Sequence, residues 1–180
     1  MLYTYSQCIE KWHTDYRIKQ LVKNNELYQV EKGIYSDTPN VSSLAIISTK
    51  YPKAIITMDT AFYYHNLTDV IPDEYYIATS KSSRKLKDER IHQLFVKDEI
   101  LNIGIMTMER RDATFMIYDR ERMLIELLRF KSKLPYDYYK EIVNNYRNMI
   151  YELDIERVQA YSQIFPKHKM ISEALDKEVF

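Results

Sequence analysis

The chain has 180 residues, of which 46% are hydrophobic and 29% charged, and its 26 basic side chains are balanced by 26 acidic ones. This composition is that of a folded, water-soluble protein, and it excludes disordered, collagen-like and coiled-coil classes. Two glycines are too few for a Walker loop or a G-x-G-x-x-G nucleotide turn, and one cysteine excludes an internal disulfide or a Cys-rich zinc site.

The first forty residues contain two amphipathic patterns and a hairpin pattern. Apolar residues recur at helical spacing in two sets, Tyr5, Cys8, Ile9 and Trp12, then Ile18, Leu21 and Val22. Thr14 or Asp15 can cap the second helix, which closes at Asn24-Asn25. Gly33, between β-prone residues, suits a tight hairpin. Helix, helix and β-wing together predict a winged helix-turn-helix DNA-binding domain over residues 1–38.

Turn-forming residues at Ser36–Asn40 mark a boundary, and a second domain is predicted over residues 41–180. Its first part, 41–118, begins with a helix over Ser42–Lys50. Strands are predicted at Ala54–Ile56, Tyr75–Thr79, Ile91–Val96, Ile103–Met108 and Thr114–Tyr118, and a mostly antiparallel sheet is their natural assembly. Helical spacing of apolar residues returns over 119–180. The predicted fold class is therefore α+β, a winged helix followed by a mixed domain.

The exposed face predicted for the second helix carries side chains that can contact phosphates and base edges. These are Tyr16, Arg17, Lys19, Gln20, Lys23 and Asn24, and Lys32 at the wing tip can add a phosphate contact. A solvated helix face has similar residues, so it is the adjoining helix and wing that favour DNA binding.

A second basic cluster lies between two predicted strands. Its basic residues are Lys81, Arg84, Lys85, Lys87 and Arg90, and the only acidic residues within the same segment are Asp88 and Glu89. A solubilising loop would have the same composition. Because the first forty residues have no excess of positive charge, we expect this cluster to form a second phosphate-contacting surface.

No catalytic or metal-binding set is apparent, so we expect neither an enzyme nor a cofactor. The four histidines are scattered, and Cys8 lies on the apolar stripe of the first helix, which favours core packing over nucleophilic chemistry. No apolar run is long enough to span a bilayer, and the first twenty residues lack the unbroken apolar stretch of a signal peptide. A cytoplasmic location is expected.

Three segments, in the same order, resemble those of one protein family. They are 15–35, which ends in Gly33-Ile34-Tyr35, then Thr57–Pro72, and then Ile117–Arg129. The family is that of the AbiEi-type antitoxins of type IV toxin–antitoxin, or abortive-infection, systems. The first segment resembles its winged-helix segment, and the second resembles its Ala-x-x-x-His-Gly-Leu-Thr-Asp-x-x-Pro stretch. The third resembles the start of its helical tail. Asn66 stands where that family has glycine, and asparagine accepts the same left-handed backbone.

The resemblance implies an antitoxin and transcriptional autorepressor in a phage-defence operon. Residues 1–38 would bind operator DNA of the chain's own operon. Residues 41–180 would form the antitoxin domain and counteract a nucleotidyltransferase-like toxin without requiring a stable complex. The resemblance implies no metal and no cofactor.

Two other functions also fit the sequence. A mixed domain beside a winged helix occurs in nucleic-acid-processing enzymes, which would need acidic and lysine side chains clustered around a divalent cation. Seventeen tyrosines suit a protein-interaction module without DNA binding, since tyrosine is enriched at interfaces.

Overall fold

The protein has the predicted α+β class, and the computed structural model describes all of its residues, Met1–Phe180. Its strands are β1 (Leu2–Thr4), β2 (Tyr28–Glu31), β3 (Ile34–Ser36), β4 (Ile55–Ile56), β5 (Tyr75–Ser80), β6 (Ile91–Val96), β7 (Ile105–Arg110) and β8 (Ala113–Tyr118). Its helices are α1 (Tyr5–Trp12), α2 (Asp15–Lys23), α3 (Ser43–Lys50), α4 (Met58–Tyr64), α5 (Asp98–Leu101), α6 (Arg120–Phe130), α7 (Tyr136–Asn148), α8 (Ile155–Ile164) and α9 (His168–Ala174). The strands form two sheets, in the orders β1-β3-β2 and β6-β5-β4-β8-β7. None of the helices is apolar over a length that would cross a bilayer.

The first two helices begin at capping residues. Thr4 accepts a hydrogen bond from the amide of Gln7, whose side chain accepts one from the Thr4 amide, forming a capping box. Thr14, one of the two predicted capping residues, accepts a hydrogen bond from the Arg17 amide and caps α2. His13 adopts a left-handed φ of 69° between the two helices. A turn of two residues therefore joins α1 to α2.

The first two helices share a small core with the three-stranded sheet. Cys8 from α1 and Ile18 and Leu21 from α2 are buried together with Leu27 and Tyr35. β3 is the central strand and pairs antiparallel with both of its neighbours. The β2–β3 hairpin at Gly33, with a φ of 81°, is confirmed. β1 is not predicted from the sequence, because three residues are too few to show a period.

Helix α3 belongs to the same compact unit as this sheet. The sequence predicts a boundary between residues 38 and 41, whereas the unit comprises Met1–Ala54 and Thr107–Met116. α3 packs on β1 and β3, and Lys50 at its end pairs with Glu31 of β2. At its start, the amide of Ser42 donates to Oδ2 of Asp112 at 2.7 Å. These contacts hold α3 and the tip of the β7–β8 hairpin in the first unit.

The five-stranded sheet is mixed. The expected antiparallel pairing is found between β4 and β5, but β5 and β6 run parallel, with Tyr75 opposite Ile91 and Ser80 opposite Val96. Parallel neighbours need a connection that returns the chain to the starting end of the first strand. The segment 81–90 makes this return without a helix. Residue composition predicts these two strands but not their relative direction.

The segment Thr57–Pro72 is a structural element of the second compact unit, which comprises Ile55–Met106 and Ile117–Phe180. His65 is buried and its Nε2 lies 2.7 Å from the carbonyl oxygen of Tyr118. Asn66 has the expected left-handed φ, 58°, and Leu67 is fully buried. His65 and Leu67 of this segment are therefore core residues, whereas Asn66 is exposed.

Helix α6 carries a fully buried arginine. The predicted apolar stripe is buried, namely Met123, Leu124, Leu127 and Leu128. Arg122 is also 0% exposed, and its guanidinium donates to Oε1 of Glu126 and to the carbonyl oxygens of Ile100 and Ile103. The core of the second unit therefore encloses a paired charge. The predicted helices of the tail are confirmed as α7, α8 and α9.

Candidate nucleic-acid interface

Helix α2 turns one face into the small core and leaves the opposite face in solvent. Ile18 and Leu21 are buried, while Tyr16 is 72% exposed. The other predicted contact residues on α2 and at its end are exposed, except for half-buried Gln20, and they are Arg17, Lys19, Lys23 and Asn24. The structure thus brings the six residues predicted in this region to one accessible face.

The positive charges on this face are not equivalent. Lys19 forms an ion pair with Asp15, with 2.6 Å between Nζ and Oδ2. This hydrogen bond raises the pKa of Lys19 and lowers that of Asp15. Arg17 and Lys23 form no ion pair, and neither does Lys32 in the hairpin. Arg17 and Lys23 therefore offer the more available charge for a phosphate.

Two polar side chains of the same face are oriented by local hydrogen bonds. Nε2 of Gln20 donates to the hydroxyl of Tyr16 at 3.1 Å, and Nδ2 of Asn24 donates to Glu26 at 3.1 Å. Both bonds are exposed, so they can be exchanged for bonds to base edges in a major groove.

Tyr5 ties the β2–β3 hairpin to the start of α2. Its amide donates to the carbonyl oxygen of Gly33 at 2.9 Å, and its hydroxyl donates to Asp15 at 3.3 Å. Lys32 precedes Gly33 in the hairpin turn and is exposed. The hairpin turn with Lys32 is therefore held near the helix end that carries Tyr16 and Arg17.

The second basic cluster lies on the segment that connects β5 to β6, in the other compact unit. Lys81, Arg84, Lys85 and Lys87 are exposed and form no ion pair. Gln93 of β6 fixes the segment, since its Oε1 accepts from the Leu86 amide at 2.8 Å and its Nε2 donates to the Arg84 carbonyl at 3.1 Å. These four cations therefore lie on a backbone anchored to the sheet.

Arg90 differs from the other four cations of the cluster. It is half-buried, and its Nε and Nη2 donate to the two carboxylate oxygens of Asp88 at 2.8 and 2.7 Å. Such a two-bond pair neutralises both charges and fixes both side chains. The structure thus reduces the available charge of the predicted cluster to four residues.

The predicted packing role of Cys8 is confirmed. Its side chain lies in the core of the first unit, where burial raises the pKa of the thiol. No three side chains of His, Cys, Asp or Glu come together as a metal ion would require.

A half-buried carboxylate, Asp59, is not predicted from the sequence as a candidate. The hydroxyl of Tyr138 in α7 donates to its Oδ1 at 3.3 Å. Because the two residues are 79 positions apart, no spacing pattern connects them.

No model of a known protein family matches the chain, and no curated protein matches it significantly.

Proposed function

We propose that the protein is the antitoxin and transcriptional autorepressor of a type IV toxin–antitoxin operon, and that it binds operator DNA through α2. The observation that best supports DNA binding is the exposed face of α2, where Arg17 and Lys23 have no ion-pair partner. The antitoxin role rests on the resemblance of three segments to AbiEi-type antitoxins. A nucleotidyltransferase-like toxin is the proposed functional partner, and a stable complex with it is not required.

The connectivity of the first unit supports a winged-helix interpretation of residues 1–38. The turn between α1 and α2 has two residues, and the β2–β3 hairpin follows α2 as a wing would. In a helix-turn-helix the second helix enters the major groove while the first crosses the backbone. We therefore assign base and phosphate contacts to α2 and a phosphate contact to Lys32. The antitoxic function is assigned to residues 41–180.

Electrostatics limit what α2 can do alone. Affinity for DNA comes largely from release of counterions as cations meet phosphates, and each phosphate neutralised steepens the dependence of log affinity on log salt by about 0.9. The chain has no net charge, and Lys19 is already paired with Asp15. The four free cations of the β5–β6 connection are therefore proposed as a second phosphate-contacting surface.

Replacing Arg17, Lys19 and Lys23 together with alanine is expected to weaken operator binding at low salt by at least about tenfold and to flatten the salt slope by about two units. Lys23→Ala alone is expected to flatten the slope more than Lys19→Ala, because Asp15 competes with phosphate for Lys19. Fluorescence anisotropy with the duplex upstream of the protein's own gene measures both quantities.

The matched control for this triple variant removes one exposed arginine and two exposed lysines elsewhere, Arg147, Lys167 and Lys169. Equal loss of operator affinity in both triple variants, or no loss in either, contradicts the assignment of α2. Co-expression with the adjacent toxin gene tests the other half of the proposal. The α2 variant is expected to protect cells still, and failure of the unaltered protein to protect them rules out the antitoxin role.

Reversing Lys81, Arg84, Lys85 and Lys87 to glutamate is expected to flatten the salt slope by about three to four units without changing sequence preference. The control reverses Lys140, Arg147, Lys167 and Lys169, which are exposed, form no ion pair and make the same change in net charge. Circular dichroism checks that both quadruple variants are folded. If both then lose the same affinity for operator DNA, the β5–β6 connection is a solvated loop without a role in DNA binding.

A further inference from the structure

An open groove lies between the start of α4, the segment 70–76 and the start of α7, all within the second compact unit. Its volume of about 620 Å³ is enough for several side chains of another molecule. Part of its wall is apolar and accessible, since Val70 is 53% and Ile71 72% exposed, and Pro72, Leu134 and Pro135 continue that wall. Exposed apolar side chains collected beside one groove favour contact with a partner.

A carboxylate lies in this apolar setting. Asp59 accepts a hydrogen bond from the hydroxyl of Tyr138, and it also interacts with the hydroxyl of Tyr76. Burial raises the pKa of Asp59, while the two tyrosine hydroxyls and His92 act in the opposite direction. No lysine or arginine lines the groove, so Asp59 has no lysine or arginine partner there. A cation from another molecule would supply what this desolvated carboxylate lacks.

The remaining charges of the lining have the same sign. Asp73 and Glu74 stand beside the groove, and the only basic group in contact with them is His92, whose Nδ1 lies 3.3 Å from Glu74 while its ring stacks on Tyr76. Nucleic-acid phosphates and anionic lipid surfaces would meet three carboxylates here and be repelled. An arginine or lysine side chain is complementary both to the carboxylates and to the aromatic ring of Tyr138.

We propose that this groove binds a peptide segment of a partner protein that presents an arginine or lysine next to an apolar residue. The cationic group lies against Asp59, and the apolar neighbour packs on Ile71, Leu134 and Pro135. The groove shares no residue with α2 or with the β5–β6 connection. The proposal does not depend on DNA binding, so failure of either one leaves the other standing.

The test is a nuclear magnetic resonance titration of the full-length, ¹⁵N-labelled protein with two matched peptides, acetyl-Leu-Arg-Leu-amide and acetyl-Leu-citrulline-Leu-amide. Citrulline keeps the shape of arginine and removes its charge. The arginine peptide is expected to bind at least about tenfold more tightly and to shift the amide resonances of residues 70, 71, 73–76, 134 and 136–138. Equal affinity of the two peptides, or shifts confined to other residues, overturns the proposal.

Two variants separate Asp59 from general surface charge. Asp59→Asn is expected to abolish the preference for arginine over citrulline, whereas Asp137→Asn, an exposed carboxylate in the first turn of α7, is expected to leave it unchanged. If Asp59→Asn fails to fold, the comparison of the two peptides on the unaltered protein still tests whether the groove prefers a cationic side chain. Spermidine is titrated in parallel, and an affinity equal to that of the arginine peptide shows a polyamine site instead and contradicts the assignment of a peptide.

Discussion

Arg122→Met is expected to lower the free energy of unfolding by about 3 kcal/mol, near the lower limit for breaking a buried ion pair. Arg122 is fully buried, and its guanidinium lies 4.4 Å from the ring of Tyr118 and 3.9 Å from that of Phe165. Methionine fills the space of the arginine side chain only as far as Nε, and it donates no hydrogen bond. The carbonyl oxygens of Ile100 and Ile103 would therefore lose a buried donor.

The expected loss of stability in Arg122→Met is limited because Glu126 keeps a second ion-pair partner, Arg129. Nη1 of Arg129 donates to both oxygens of Glu126 at 2.9 and 2.7 Å. For a protein of 180 residues, about 3 kcal/mol corresponds to a fall in Tm of about 6 to 12 °C. Chemical and thermal denaturation measure the change, with exposed Arg147→Met as the control. A change in Arg122→Met no larger than in the control means that the buried guanidinium does not organise this core.

Gly104→Ala is expected to destabilise the protein by about 2 to 5 kcal/mol, from a left-handed backbone penalty together with overpacking. Gly104 has a φ of 76°, and a Cβ added to it would lie 2.6 Å from Cβ of Arg122 and 3.0 Å from Oδ1 of Asp119. The Gly104 carbonyl accepts a hydrogen bond from the Asp119 amide, so the two backbones cannot separate easily.

Gly33→Ala is the matched control for this substitution. Gly33 has a similar φ, 81°, but nothing lies within 4 Å of the position that a Cβ would take. Its cost should therefore be the backbone term alone, about 1 to 2 kcal/mol. Denaturation of the two variants side by side isolates the steric term, and equal losses in both would show that the contact between Gly104 and α6 relaxes freely.

The ends of several elements follow from local chemistry and could be predicted. Thr14 caps α2 because its hydroxyl reaches an amide three residues away, and Gly33 permits the hairpin because it lacks a Cβ. The apolar spacing of α2 likewise predicts which face is buried. Because that face is buried, Arg17, Lys19 and Lys23 on the opposite face are accessible. The residues of the proposed interface could therefore be predicted from the sequence.

The electrostatic state of the candidate residues was only partly predictable. The i,i+4 spacing of Asp15 and Lys19 permits their ion pair, but the sequence contains many such spacings that form no pair. The pairing of Arg90 with Asp88 depends on the fold of the connection between β5 and β6. The structure therefore distinguishes the basic residues that form an ion pair from those that do not.

The sequence by itself determined the α+β class, the caps and turns, and the exposed face of α2, because these depend on residues within about one helical turn of each other. Tertiary structure alone decided the parallel pairing of β5 and β6, the placement of α3 with the first unit, the burial of Arg122 and the meeting of Asp59 with Tyr138. These features join residues far apart in the chain. Periodicity and capping describe neighbours along the chain, whereas the partner of a buried charge is set by how whole elements pack.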